Sequence, residues 1–156
     1  MDRPVRIPEE LSRLLAGAGF RLRQNLVLPL LTCDPEGFPR AALLTFSEVR
    51  ALSRARFAVA VSGGSMTEAN LIRRRGATLL YLDAGASVSI QARAGRARVS
   101  RSCPDKRIFP LQVVRVKEDH PLPGEATVSI SGGPRFSGRG ASALFSPALF
   151  RELGRA

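Results

Sequence analysis

Apolar residues in this chain gather into short runs separated by clusters of Gly, Pro, Asp and Ser, the pattern of a strand-rich protein. Leu26 to Cys33 is nearly continuous in apolar character. Asp34-Pro35-Glu36-Gly37 then supplies turn residues, and a second run, Ala41 to Phe46, leads away from it. Together they predict a hairpin. Pro29 has no amide to donate, which predicts a first strand at a sheet edge or beside a bulge. Phe57 to Val61 is a third run and Ala77 to Leu82 a fourth, ended by Asp83-Ala84-Gly85. In the longest candidate, Val88, Ile90, Ala92 and Ala94 alternate with Ser89, Gln91 and Arg93. After Gly95 the apolar phase moves to Ala97 and Val99, so a β-bulge is expected at the glycine. Leu111 to Lys117 and Ala126 to Ile130 read as two further strands.

Helical spacing occurs at three places. Pro8-Glu9-Glu10 precedes Leu11, Leu14, Leu15 and Ala18, with Gly19 closing a short amphipathic helix. Ser65-x-x-Glu68 fits a capping box, Met66, Ala69 and Ile72 share one face, Arg73 to Arg75 fill the last turn, and Gly76 suits the left-handed C-terminal position. Ser146-Pro147 starts a final helix ending near Leu153. Six or seven strands with a few short helices at the joints, and no regular strand-helix alternation, predict a mainly β protein with a barrel architecture.

At 156 residues the chain has the length of one domain. The expected layout is a single domain over residues 1–156: an N-terminal helix and lead-in over 1–24, a barrel over 25–131 and a C-terminal helix over 140–156. Lys and Arg number 24 against 13 Asp and Glu, for a net charge of +11; because Lys106 and Lys117 are the only lysines, 22 of the cations are arginine. Such a balance attracts phosphates, carboxylates and polyanions. Cys33 and Cys103 stand apart with no CxxC spacing and His120 is the sole histidine, so the usual zinc ligand sets cannot be assembled and no metal is expected. No apolar stretch reaches membrane-spanning length and the first residues lack a signal-peptide core, which makes a cytoplasmic, non-membrane protein the expectation.

The segment Ser62 to Asn70 is the best candidate for a ligand site. A glycine-permitted turn entering a helix presents free amides and a positive dipole end to an anion, and Ser62, Ser65 and Thr67 add hydroxyls. The plainer alternative makes Ser65 an N-cap and Glu68 its reciprocal partner, with Glu68 placing a like charge near any phosphate.

Over roughly residues 25 to 100, an ordered set of pieces resembles the pyridoxamine 5'-phosphate oxidase-like FMN-binding split-barrel family. The pieces are Leu30-Leu31-Thr32, the turn Asp34 to Pro39, the strand Ala41 to Phe46, Ser65-x-Thr67-x-x-Asn70-Leu71, the strand Ala77 to Leu82, and Gly95-Arg96-Ala97 on a long strand. The resemblance implies a six-stranded Greek-key split barrel that forms a homodimer, with FMN held between the subunits. It implies a phosphate near Ser62, Ser65, Thr67 and Asn70, and a flavin ring along Leu43, Leu44 and Thr45. It therefore implies a flavoprotein, an FMN-dependent oxidoreductase acting on an unidentified small molecule. Thr67 departs from the pattern, standing where many members carry a phosphate-pairing lysine; hydroxyl and amide donors, an arginine from Arg73 to Arg75, or an arginine of the partner chain are the expected compensations. Gln91 falls one residue out of step with the family's flavin-contacting glutamine. The tail from Gly140 lacks the oxidases' substrate-binding pattern, which sets vitamin B6 oxidation aside.

No catalytic acid or base is singled out. His120 lies in a polar turn and reads as a surface residue, Cys33 as a small buried side chain, and Cys103 as an exposed thiol among cations. Two alternatives stand beside the flavoprotein. The first is a split-barrel dimer that has lost FMN or binds another ligand such as haem or a deazaflavin. The second, ranked third overall, is a basic nucleic-acid-binding module using Arg93, Arg96, Arg98 and Arg101, for which the 6% aromatic content is poor in stacking platforms.

Overall fold

The structure, a computed structural model, describes residues 5–120, 123–124, 129–141 and 145–156. Its strands are β1 (Leu28–Cys33), β2 (Pro39–Leu44), β3 (Val49–Ala51), β4 (Arg56–Ser62), β5 (Gly76–Asp83), β6 (Ala86–Ala94), β7 (Arg98–Val99) and β8 (Lys106–Glu118). They form one antiparallel sheet in the order β2-β1-β5-β6-β8-β4-β3, with β7 also on β8. Strands β2 and β3 lie at opposite ends of that order, yet only Thr45 to Glu48 join them, so the sheet must curl back on itself into a split barrel. The expected strand over Ala126 to Ile130 lies largely outside the described residues; Ile130 itself accepts a hydrogen bond from the Gly85 amide at 2.7 Å without joining a ladder.

The core is the inside of the curl. Leu28, Leu30, Val49, Phe57, Val59, Leu79, Ile90, Phe109 and Leu111 are buried there, from alternate positions of their strands, together with Phe46 from the turn between β2 and β3. Helix α1 (Glu9–Leu15) adds Leu11 and Leu15. Strand β4 is buried on both faces, which explains its unbroken apolar run. Its outward Ala58 and Ala60 pack with Ile108 against Leu149 and Leu153 of α3 (Pro147–Leu153). Helix α2 (Met66–Arg74) lies against β1, β4 and β5. No helix among the described residues is long and apolar enough to cross a membrane.

Several local expectations are corrected. Pro29 is not at an edge, because β1 pairs with β2 and β5; the ladder to β5 starts only at Leu30, so the missing amide lies where that pairing begins. Cys33 is exposed, since strand alternation puts it on the outer face opposite Pro39 while Leu30 and Thr32 turn inward. Arg75, not Gly76, takes the left-handed position after α2, with φ 58°; Gly76 is already the first residue of β5. The buried face of α2 carries Asn70 and Leu71, whereas Met66 and Ile72 face solvent. At Gly95 the sheet does slip by one residue: Ala94 pairs Leu111, and Arg98 pairs Ile108. A second bulge, unforeseen, lies on β8 at Val114, where Gln91 pairs Arg115 but Ala92 pairs Val113.

Glu152 of α3 fastens the β7–β8 connection. Its carboxylate accepts from Arg98 Nη1 at 2.6 Å, Ser100 Oγ at 2.7 Å, and the Arg101 and Ser102 amides at 2.8 and 3.0 Å. Burial opposes its charge, but the Ser102 hydroxyl, the Arg101 amide and Arg98 outweigh it and hold the carboxyl well below the usual carboxylate range. Glu152→Ala should therefore cost about 2–3 kcal/mol at neutral pH, seen as a lower urea midpoint. Since the folded value is depressed, the contribution is complete above the ordinary value of 4.5 and is lost as acid protonates the group below it. The gap between wild type and variant should narrow below that pH; a gap unchanged down to about pH 3 would contradict the assignment.

Candidate functional site

The segment between β4 and α2 folds as its residues dictate. Ser62 ends β4, Gly63 and Gly64 turn the chain, with Gly64 at φ 75°, and Ser65 caps α2 by accepting from the Glu68 amide at 3.2 Å. The capping box is displaced by one residue. The Glu68 carboxylate accepts from the Gly64 amide at 2.5 Å, where the pattern predicts the Ser65 amide.

Two cations that sequence reasoning did not connect with this turn arrive from the start of β8. The β4–β8 ladder sets Ser62 opposite Lys106 and Val61 opposite Arg107. Lys106 Nζ donates to Ser62 Oγ at 3.2 Å and pairs with Glu48 Oε1 at 2.7 Å. Arg107 Nε lies 3.4 Å from Glu68 Oε1, and its guanidinium covers Gly63 so closely that a Cβ there would meet it at 2.9 Å. Glu48 in turn accepts from the Thr45 amide at 2.7 Å, and the Thr45 and Ser47 hydroxyls are 3.0 Å apart. The ends of β2 and β4 and the starts of α2 and β8 thus meet in one polar cluster, its two cations Lys106 and Arg107 paired with Glu48 and Glu68.

Of the expected site residues, Thr45, Ser62, Ser65 and Thr67 belong to this cluster or its first helical turn. Leu43 is exposed on the outer face of β2, whereas Leu44 is buried in the core and offers only its backbone. Asn70 is buried and donates to Thr32 Oγ1 at 3.1 Å, so its side chain fastens α2 to β1; its Oδ1 is buried without a partner. Arg73 to Arg75 stand at the opposite end of α2, about 14 Å away at 1.5 Å per residue, and the cations beside the start of α2 are Lys106 and Arg107. In the sequence they lie ahead of the strand expected from Leu111, whereas β8 begins at Lys106. Among the arginines considered for nucleic acid, Arg98 is committed to Glu152, while Arg93, Arg96 and Arg101 are exposed.

No family model matches the chain. Over 112 residues it is 29% identical to an uncharacterised protein of Bacillus subtilis, YclD, covering 71% of this chain and 73% of that one. Among solved structures, a Lactobacillus delbrueckii protein provisionally named pyridoxamine 5'-phosphate oxidase superposes with a TM-score of 0.58 at 16% identity, over 75% of this chain and 97% of its own. An FMN-binding protein of Syntrophomonas wolfei gives 0.54 at 14% identity, over 74% and 92%. An F420 reductase gives 0.54 at 11% identity, over 71% and 98%. The curled antiparallel sheet and its short helices match these neighbours, and the chain has the fold of the pyridoxamine 5'-phosphate oxidase-like, FMN-binding split barrels.

Proposed function

We propose that this chain is a flavoprotein that binds FMN and serves as an oxidoreductase on a small molecule. The observation that carries the reading is the convergence of the Ser62 and Ser65 hydroxyls, the Gly64 amide, Lys106 and Arg107 at the start of α2, with Thr67 in its first turn. This donor set fits a phosphate monoester, which needs several N–H and O–H donors and a cationic surround. Glu68 is the obstacle, because its carboxylate already takes the Gly64 amide and faces Arg107. In this reading Glu68 stands in for the phosphate in the free chain and turns outward when a ligand arrives.

From that cluster, β2 would lead the ligand's ring along Thr45 to Leu43, with backbone groups and the exposed Leu43 side chain as contacts. When bound, the flavin supplies the redox chemistry. The chain's own part is to grip the phosphate, orient the ring and exclude water; none of its residues is assigned a proton. A homodimer fits the exposed apolar residues Phe38 and Leu43 near β2 and Met66 and Ile72 on α2, which a second copy would cover. Glu68 also favours a second reading, a split barrel that has given up FMN for another ligand such as haem or a deazaflavin.

Titration of the apo protein with FMN, followed by flavin fluorescence, separates the two. Saturable binding is expected, weakened at least about tenfold by Ser65→Ala with Thr67→Ala and tightened several-fold by Glu68→Gln, which removes a like charge from the phosphate. Absence of binding in both wild type and Glu68→Gln at millimolar FMN would contradict the reading. Analytical ultracentrifugation at micromolar concentration should give the mass of a dimer; a monomer would count against a shared site.

A further inference from the structure

At the opposite end of α2 from the proposed flavin phosphate, the outer face of the sheet is hollowed into a cleft of about 620 Å³. Small residues make the hollow. Gly76 pairs with Arg93 and Ala77 with Ala92, so β5 presents no side chain opposite the arginine where the two strands meet. Leu31 of β1 and Val114 of β8 give the cleft apolar surface. Val114 is the extra residue of the β8 bulge, and a bulge re-aims the side chain it carries. The volume lies in the range of small-molecule sites.

Arg74 and Arg93 are among the residues that line this cleft, and none of its lining residues is acidic. Among the described residues neither arginine has an ion-pair partner within 4 Å, in contrast to Arg23, Arg98, Arg107 and Arg135. Arg74 is nonetheless held in place, donating from Nη2 to the Pro35 carbonyl at 3.0 Å. The turn that carries it is pinned too. Arg75 adopts its left-handed conformation with its carbonyl accepting the Ala94 amide at 2.7 Å, which fixes the end of α2 beside the end of β6. Two arginines without an acidic partner, one of them held in place, beside an apolar hollow are complementary to one kind of ligand.

We propose that this cleft binds a small organic anion, with an apolar body over Leu31 and Val114 and its carboxylate, sulfonate or phosphate held by Arg74 and Arg93. The site is separate from the α2 start and does not depend on whether FMN binds there. It also has a natural reporter, because the exposed thiol of Cys33 lines the same cleft.

The test uses the full chain with Cys103→Ser, and as probes the aromatic sulfonate 1-anilinonaphthalene-8-sulfonate and its uncharged counterpart N-phenyl-1-naphthylamine. The sulfonate should bind saturably, one per chain, and slow alkylation of Cys33 by iodoacetamide, read by mass spectrometry. Arg74→Gln with Arg93→Gln should weaken the sulfonate at least about tenfold while changing the neutral probe less than about twofold. Gly76→Leu should block both probes by filling the hollow; a Cβ at Gly76 meets nothing nearer than the Arg74 carbonyl at 4.0 Å, so the fold should accept it. Ser65→Ala with Thr67→Ala should leave sulfonate binding unchanged, which separates this site from the flavin reading. The proposal is overturned if the arginine pair can be removed without effect on the sulfonate, or if Cys33 alkylates equally fast with and without it. It is equally overturned if Cys33 is unreactive in the free protein because a second copy covers the cleft.

Discussion

The buried carboxylate of Glu48 is the contact on which the curl of the sheet depends. It accepts the Thr45 amide at 2.7 Å and pairs with Lys106 at 2.7 Å, tying the turn between the two terminal strands of the sheet to the head of its longest strand. The turn is held by two means, this tie and the fully buried Phe46, and the tie fixes the ends of β2 and β4 relative to α2. A buried carboxylate is stable only when paired and hydrogen-bonded, and Glu48 has both kinds of partner. The same contact positions Lys106 to reach Ser62. The scaffold and the candidate phosphate site therefore share one charged residue.

Charge is handled differently at the two ends of α2. At its start, Glu48 and Glu68 neutralise Lys106 and Arg107, and an incoming anion has to compete with a carboxylate already in place. At its end, Arg74 has only a carbonyl partner and Arg93 lies across from a glycine, so an anion meets cations with no acidic competitor. The excess of arginine in the composition is thus not uniform surface decoration. Some arginines are structural, such as Arg98 on Glu152 and Arg135 on Asp83, and some are left free around a hollow.

The longer strands were legible because they are apolar runs bounded by turn residues, and the one-residue slip at Gly95 was visible as a change of phase. What escaped was set by tertiary contacts. Val49-Arg50-Ala51 is too short to announce itself as a strand, and becomes one only by pairing with β4. Met66 and Ile72 match a helical stripe, but α2 turns Asn70 and Leu71 inward because Asn70 finds Thr32 on β1. Gly76 seemed the natural helix terminator, yet the Ala94 amide captures the Arg75 carbonyl and places the left-handed residue one position earlier. For the candidate site, Ser62, Ser65 and Thr67 were readable from the turn-into-helix pattern. Lys106 and Arg107 were not, since only the β4–β8 register brings them to residues some forty positions earlier.

The central claim is that the α2 start receives the phosphate of a flavin, with Lys106 and Arg107 as its cations. Isothermal titration comparing FMN with riboflavin, which lacks the phosphate, checks this in wild type and in Arg107→Gln, which leaves the Lys106–Glu48 pair in place. FMN should bind at least about tenfold tighter than riboflavin in wild type, and Arg107→Gln should remove much of that preference, with Lys106, the hydroxyls and the Gly64 amide keeping the remainder. Equal affinities in wild type, or an FMN preference undiminished in Arg107→Gln, would contradict it.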